Sequence, residues 1–211
     1  MQLYPLFPLE LVVYPLEELN LHIFEPRYRQ LINDCEQHKE LFGIPTFRKG
    51  STLDYGTLVK IVKIEKQYPD GRMDIRTEGV QTFRLKKYLE VHPGKLYPGG
   101  ELDLIDLELD RDELMCFDIK EKLLELYSFM SITSIPSALN NDLFYTTQVA
   151  HKVGFNKDQE YHFLKIPTER ERQEYMLNHL HALIPIARNM EEMRKKIQLN
   201  GHFKDILPPK V

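Results

Sequence analysis

The chain has 211 residues, of which 42% are hydrophobic and 28% charged, which is typical of one large or two small folded domains. A formal net charge of −4 argues against a dedicated nucleic-acid-binding protein, which usually carries a basic excess. No apolar run reaches the roughly 18–20 residues of a membrane span, and no basic segment with an apolar core opens the chain. We therefore expect a cytoplasmic protein with no membrane association. Cys35 and Cys116 lie far apart and are expected to be buried free thiols.

The N-terminal segment is apolar but interrupted by prolines, so residues 3–7 and 11–14 are predicted to be short strands at sheet edges. Such edges offer unpaired backbone groups to an extended peptide, together with the nearby aromatic side chains. The candidate peptide-binding residues are therefore Tyr4, Phe7 and Tyr14. The alternative is that these three side chains belong to the core.

Residues 19–35 are predicted to be a strand that leads directly into a helix. Leucine and isoleucine alternate with polar residues up to residue 23, and Pro26 fits the first turn of a helix. We expect Phe24 to fill the core and Tyr28 to join the apolar face of the helix. Glu25 and Arg27 would pair or bond to backbone, and Arg27→Ala would cost roughly 1–3 kcal/mol if Arg27 satisfies buried groups.

The next segment is predicted to be antiparallel sheet. Residues 41–47, 56–66, 72–78, 80–88 and 101–109 are the expected strands. The strand over 56–66 should be central, Asp70-Gly71 should form a hairpin turn, and Gly79 should mark a bulge or bend. A further bulge near Ile105 would let both apolar faces of the last strand stay buried.

From residue 110 onward the pattern is helical. Asp110 is the expected N-cap of the first long helix. Residues 142–153 are predicted to form a second helix, and Asn156 is the expected N-cap of a shorter one. Thr168 opens a last helix that continues to about residue 200, with Pro185 predicted to kink or interrupt it and residues 205–211 forming a proline-rich tail. Strands followed by helices predict an α+β protein with a β-rich domain at 1–109 and a helical domain at 110–211.

Sequence signals for catalysis and for cofactor or metal sites are weak. The glycines of residues 92–100 lack the spacing of a phosphate-binding loop, and the histidines lack the spacing of a zinc site. The serines of residues 128–137 have no glycine beside them, and the carboxylates of residues 103–113 suit caps and exposed faces. We expect neither an enzyme nor a bound cofactor or metal.

Two stretches resemble the N-terminal domain of Lon ATP-dependent proteases, especially its stand-alone bacterial versions. The first is LFPLELVVYPLEELNLHIFEPRYRQLINDC, and the second is GTLVKIVKIEKQYPDGRMDIRTEGVQTFRL. The residues that match the family motifs are Phe24, Glu25, Pro26, Arg27, Tyr28, Gly56, Asp70, Gly71, Gly79, Phe83 and Arg84. One departure is Thr82, where the family often has arginine. The order of a β-domain, helices and a long last helix is also similar, and most of these motif residues are expected to be structural.

The resemblance implies a PUA-like β pseudo-barrel that holds one helix, followed by a helical bundle ending in a long helix. It also implies a non-catalytic module that binds unfolded polypeptide or a protein partner, without ATPase or peptidase activity of its own. Two alternatives remain open. PUA-like folds also bind RNA, although the net charge disfavours nucleic acid here. The fold also resembles the Lon-like domain of cereblon, which suggests a small-molecule pocket with tyrosine and phenylalanine walls between barrel and bundle.

Overall fold

Apart from the first helix, the strands precede the helices in the structure, a computed structural model that describes residues 2–201. The strands are β1 (Tyr4–Pro5), β2 (Glu18–Ile23), β3 (Phe42–Arg48), β4 (Ser51–Gln67), β5 (Met73–Leu89) and β6 (Gly99–Leu104). The helices are α1 (Pro26–His38), α2 (Glu113–Met130), α3 (Lys157–Leu164) and α4 (Glu169–Gly201), and three 3₁₀ turns lie between α2 and α3. The predicted α+β class is confirmed. The predicted tail, residues 205–211, lies outside the described residues.

The six strands form one sheet in the order β1-β6-β5-β4-β3, and β2 pairs with the first part of β5. The predicted central position of β4 is confirmed, because it lies between β3 and β5. In the β4–β5 ladder Val59 pairs with Gly79 and Leu58 with Gln81, which leaves Val80 without a partner on β4. The predicted bulge at Gly79 is therefore confirmed, and it increases the local twist of the sheet.

The sheet closes on itself through the N-terminal segment. β1 pairs antiparallel with β6, and the following residues bridge to β3 in parallel, at Leu6 with Gly43 and at Leu9 with Thr46. The Phe7 N–H donates to the Gly43 carbonyl at 2.8 Å, and the Phe47 N–H donates to the Leu9 carbonyl at 2.7 Å. This connection between the two ends of the sheet produces the predicted pseudo-barrel. The predicted strand at residues 11–14 is absent from the structure.

Helix α1 supplies one side of the barrel core. Pro26 occupies its first turn, and its buried face consists of Tyr28, Leu31, Ile32 and Cys35, as predicted. These side chains pack with buried residues of the sheet, among them Phe42, Ile44, Val59, Met73 and Ile75. Burial raises the pKa of the Cys35 thiol to about 12, so the thiolate is absent at neutral pH. Both cysteines are buried and free, which confirms that prediction.

The described residues form two compact units. The first comprises residues 2–110 and 145–172, and the second comprises 111–144 and 173–201. Residues 145–172 thus group with the sheet rather than with the first long helix. A grouping by contacts does not test independent folding, so the division into domains 1–109 and 110–211 stays a prediction.

Within the second unit, α2 and α4 run in the same direction. The Asp112 N–H donates to Gln173 Oε1, the Arg188 Nη2 donates to Glu125, and Arg194 donates to Ser131. In all three bonds the two residues are 61–63 positions apart in the sequence. A nearly constant separation means that a step forward along α2 matches a step forward along α4, so the two helices are parallel. Helix α4 continues through Pro185, so the predicted interruption is absent, while the alternative prediction of a kink stays a prediction.

Four local predictions need correction. Asp112, not Asp110, caps α2 and accepts from the Met115 N–H. Asp110 instead accepts from the Glu169 N–H at 2.9 Å and so caps α4.

The other three corrections concern a helix, a strand and an aromatic side chain. Residues 142–153 contain 3₁₀ turns instead of an α-helix. Strand β6 ends at Leu104 without the predicted bulge, because the chain leaves the sheet to pair Glu108 with Thr168. Phe24 does not fill the core: it is 60% exposed. The caps at Asn156 and Thr168 are confirmed.

The contacts of Arg27 lower the expected effect of its removal. Arg27 bonds to Glu25 at 2.8 Å, the two side chains are 48% and 38% exposed, and the guanidinium lies 4.5 Å from the Tyr28 ring centroid. Since an exposed ion pair and a surface cation–π contact contribute little, Arg27→Ala should lower the free energy of unfolding by at most about 1 kcal/mol. Urea unfolding tests this, with Tyr28→Ala as a buried control that should lose about 3 kcal/mol or more. A loss above about 2 kcal/mol for Arg27→Ala would contradict the exposed placement.

Candidate polypeptide-binding surfaces

Two of the three predicted peptide-binding residues are buried. Phe7 is buried and its ring lies 4.0 Å from that of Tyr28. Tyr14 is also buried, and its hydroxyl donates to the Glu160 carbonyl at 3.0 Å. Tyr4 is half-buried on β1. These positions agree with the alternative that the side chains belong to the core, and a role in binding stays a prediction.

The hairpin residues of the family motif occupy a tight turn. Gly71 has a φ of +87°, which favours glycine, and Arg29 of α1 donates to the Asp70 carbonyl at 2.6 Å. The backbone N–H of Arg72 bonds to the Asp70 carboxylate and lowers its pKa, and a bond from the Arg72 guanidinium lowers it further. The other motif residues of β5 are Gly79 at the bulge, the buried Phe83 and the exposed Arg84.

A cleft of about 420 Å³ opens in the first unit. It lies between residues 10–12, the β3–β4 connection at 46–49, and α3. Leu11, Val12, Phe47 and Tyr161 contribute apolar surface, and Lys49 is among the charged residues that line it. This combination of apolar walls and a few charged groups suits a small ligand or a single side chain of a polypeptide.

A charged cluster at one wall of the cleft connects the N-terminal segment to α3. His151 bonds through Nδ1 to Glu160 at 2.8 Å and through Nε2 to Glu17 at 3.2 Å. Nε2 also lies 3.1 Å from the Val12 carbonyl. Burial would lower the pKa of His151, but the bonds and charges of Glu17 and Glu160 outweigh it and raise the pKa to about 9. The imidazole is therefore protonated at neutral pH and holds two carboxylates.

The second unit exposes a row of apolar side chains on α4. Ile186, Met190, Met193 and Ile197 are 56%, 67%, 63% and 69% exposed. Their spacing of four, three and four residues places them along one side of the helix. We call these four residues the α4 stripe. The buried residues of α4 occupy a different face and include Met176, Leu180, Ile184 and Ala187.

The surroundings of the α4 stripe are basic. Arg188, Arg194, Lys195 and Lys196 lie on the same turns of α4, together with Glu191 and Glu192. Arg194 and Lys195 bond to Glu191 at 2.8 and 3.5 Å, and Arg188 bonds to Glu125 of α2 at 2.8 Å. An exposed apolar row bordered by cations suits apolar segments that also carry acidic residues.

Two other kinds of site are absent from the part of the chain that is described. Between residues 2 and 201, none of the helices combines the length and the apolar character that crossing a membrane requires. Over the same range, histidine, cysteine and carboxylate side chains form no group of three or more that could hold a metal ion.

Comparison with known proteins decides the family. Residues 3–194 match the family model described as the ATP-dependent protease La (LON) substrate-binding domain. The chain belongs to the Lon substrate-binding domain family. The match spans both units, and it confirms the resemblance inferred from the sequence motifs. No curated protein sequence matches the chain.

Solved structures of Lon N-terminal domains share the fold. The Lon N-terminal domain protein from Xanthomonas campestris is 24% identical, with a TM-score of 0.62 over 84% of this chain and 98% of that one. The N-terminal domain of a Lon protease from the Mycobacterium avium complex is 13% identical, with a TM-score of 0.64 over 85% and 98%. At these identities the similarity concerns the fold.

Sequence reasoning missed the α4 stripe, although its signal was present. Basic residues flank two glutamates within residues 188–196, and this pattern by itself indicates only the exposed side of a long helix. Apolar residues follow two helical rows there, and one face of α2, which bonds to this region through Glu125, can cover only one of the two rows. The His151 cluster had no local signal, because Glu17 is 134 residues away in the sequence.

The His151 cluster predicts a pH-dependent stability. The folded pKa lies above the unfolded value of about 6.5, so the contribution is complete below that pH and is lost as the pH rises through about 9. From pH 6 to 9.5 the native chain should lose roughly 1–3 kcal/mol more unfolding free energy than His151→Gln, which cannot be protonated. Urea titrations at several pH values measure this difference. Parallel pH profiles for the two proteins would contradict the assigned cluster.

Proposed function

We propose that this protein is a non-catalytic module that binds unfolded polypeptide segments. The family supplies the class of function, since its members are described as substrate-binding domains of an ATP-dependent protease. The observation that supports polypeptide binding by this chain is the α4 stripe, a continuous apolar row on which every side chain is more than half exposed.

The side chains of the stripe suit varied partners. Methionine is unbranched and polarisable, so it adapts to partners of different shape, and such residues are common on promiscuous binding surfaces. Met190 and Met193 lie at the centre of the stripe, with an isoleucine on each side. Their burial by an apolar segment would supply the binding energy, while the basic border would favour segments with acidic residues.

The surroundings of three candidate reactive groups support the proposed non-catalytic role. Burial raises the pKa of the Cys35 thiol, and both histidine nitrogens of His151 are bonded. The third group to consider is the pair formed by His22 and Asp74 at 2.6 Å, which is exposed on the sheet. A histidine–aspartate pair needs a nucleophile within hydrogen-bond reach of the histidine to act in acyl transfer. The hydroxyl of Tyr68, whose ring contacts His22, donates to Asp74 at 2.8 Å instead.

The cleft of the first unit favours small-molecule binding as a second candidate function. Its volume of about 420 Å³ lies within the range of ligand pockets, and aromatic and aliphatic side chains form part of its walls. It lies within the first unit, whereas the sequence suggested a pocket between barrel and bundle. The RNA-binding alternative stays a prediction, and the net charge of −4 disfavours it.

A double variant tests polypeptide binding by the stripe. Met190→Ser with Met193→Ser should weaken the binding of fluorescein-labelled, reduced and unfolded casein by about 10- to 100-fold, because burial of each methionine in the complex contributes roughly 0.7–1.4 kcal/mol of binding free energy. Fluorescence anisotropy measures the Kd. Since both side chains are exposed, the melting temperature should change by no more than about 2 °C.

A matched control separates the stripe from general surface hydrophobicity. Leu96 of the first unit is 62% exposed, so Leu96→Ser removes a comparable exposed apolar side chain elsewhere. Its casein affinity should equal that of the native chain. The proposal fails if the native chain shows no saturable binding, or if the double variant binds as well as the control.

A further inference from the structure

Strand β2 has one open edge. Within residues 2–201 it pairs with β5 alone, and its six residues follow an uninterrupted register from Glu18 with Glu78 to Ile23 with Met73. Its sequence, ELNLHI, contains no proline or lysine, two residues that often protect an edge strand from further pairing. The other side of the strand therefore remains available for another backbone.

The hydrogen bonds next to β2 show which of its backbone groups are available. The Gly79 N–H donates to the Glu17 carbonyl at 2.9 Å, and bonded pairs alternate along an antiparallel ladder. Leu19, Leu21 and Ile23 therefore direct their backbone groups towards β5. In agreement, the Thr77 hydroxyl donates to the Leu19 carbonyl at 2.9 Å.

The same alternation leaves every second residue directed outward. Glu18, Asn20 and His22 each present one N–H and one carbonyl at the open edge, with a spacing of about 6.8 Å. This series of three donors and three acceptors is complementary to the backbone of one extended segment of about six residues.

The two faces of the edge differ in polarity. On one face Ile23 is buried, and Leu19 and Leu21 are only partly covered while they pack against the barrel core. On the other face Glu18, Asn20 and His22 are exposed. An added strand would therefore continue an apolar row on one side and a polar row on the other.

Carboxylates outnumber cations in the lining of a depression that the polar face borders. The lining of this shallow depression of about 640 Å³ includes Glu18, Glu65, Asp74 and a single guanidinium, that of Arg76, and Lys63 from outside the lining bonds to Glu65 at 2.7 Å. Arg76 is shared between Glu65 at 3.3 Å and Glu18 at 4.0 Å. Asp74 stays ionised, because hydrogen bonds from His22 and then Tyr68 lower its pKa. Basic side chains would complement these carboxylates.

We propose that β2 is a strand-addition site for an extended polypeptide segment in which apolar and basic residues alternate. The apolar residues would lie beside Leu19 and Leu21, and the basic residues would lie beside Glu18 and the depression. The inference rests on the proposed polypeptide-binding function for its class of ligand, but it uses a surface of the first unit that contains no residue of the α4 stripe.

Labelled peptides test the backbone and the side-chain pattern separately. The probe is fluorescein-(Val-Lys)₄, and the expected result is saturable anisotropy that weakens at least tenfold for (Val-Glu)₄ and for the blocked sequence Val₄Lys₄. N-methylation removes backbone donors without changing side chains. Methylating one alternate set of residues should abolish binding, whereas methylating the other set should leave it within about threefold, since only one set faces β2.

Two substitutions at one position test the open edge of the protein. Asn20→Pro removes an outward N–H and leaves the bonds of Leu19 and Leu21 to β5 in place, so (Val-Lys)₄ should bind at least tenfold more weakly. Asn20→Ala removes the side chain but keeps the N–H, and its affinity should equal that of the native chain. Circular dichroism and the melting temperature of both variants confirm the fold before binding is compared.

The casein experiment separates this inference from the proposed function. Loss of casein binding in the Met190→Ser, Met193→Ser protein, with undiminished (Val-Lys)₄ binding, would support both surfaces. Absence of saturable (Val-Lys)₄ binding to the native chain, or equal affinities of Asn20→Pro and Asn20→Ala, would overturn strand addition whatever the result with casein. Equal effects of the two N-methylated sets would likewise overturn it.

Discussion

The structure of the first unit depends on backbone hydrogen bonds that the N-terminal segment makes to both ends of the sheet. Residues 4–5 pair with β6, and residues 6–9 bridge to β3. Close contact at this point requires the absence of side chains: a Cβ atom on Gly43 would lie 2.6 Å from a methyl carbon of Leu6, and one on Gly100 would lie 2.7 Å from the other. Closure removes two open edges at once, and it encloses the core in which α1 packs.

The same closure determines which surfaces remain for binding. The N–H groups of Leu6, Phe7 and Leu9 donate to carbonyls of the fold, so these groups are not open to an added peptide. Peptide binding by the N-terminal segment would therefore depend on its other groups. β2 lies on the same side of β5 as β6 but contacts a different part of it, and the segment that closes the barrel does not pair with it. In the second unit, α2 bonds to one side of α4, and the α4 stripe stays exposed. Both proposed surfaces thus leave groups exposed that could bind a further partner. On β2 these are backbone hydrogen-bonding groups, and on α4 they are apolar side chains.

Much of the fold could be predicted from local patterns, because alternation, capping residues and Asp-Gly turns act over a few residues. The α1 face, the bulge at Gly79 and the cap at Asn156 are of this kind. Predictions failed where distant contacts decide. Asp110 has the sequence of a cap for the next helix, but the chain brings Glu169 to it instead. The motif around Phe24 identified the family, yet its sequence could not show that this ring is exposed.

Amide hydrogen exchange of the closing bonds tests the central claim most directly. The N–H groups of Leu6, Phe7 and Phe47 donate to the carbonyls of Pro98, Gly43 and Leu9 at 2.9, 2.8 and 2.7 Å. If closure holds the barrel together, these three amides should exchange only through global unfolding, with the same opening free energy as buried amides of the β4–β5 ladder. Exchange of all three at the rates of an exposed loop, while the β4–β5 ladder stays protected, would show that the sheet folds without being closed and would contradict the account.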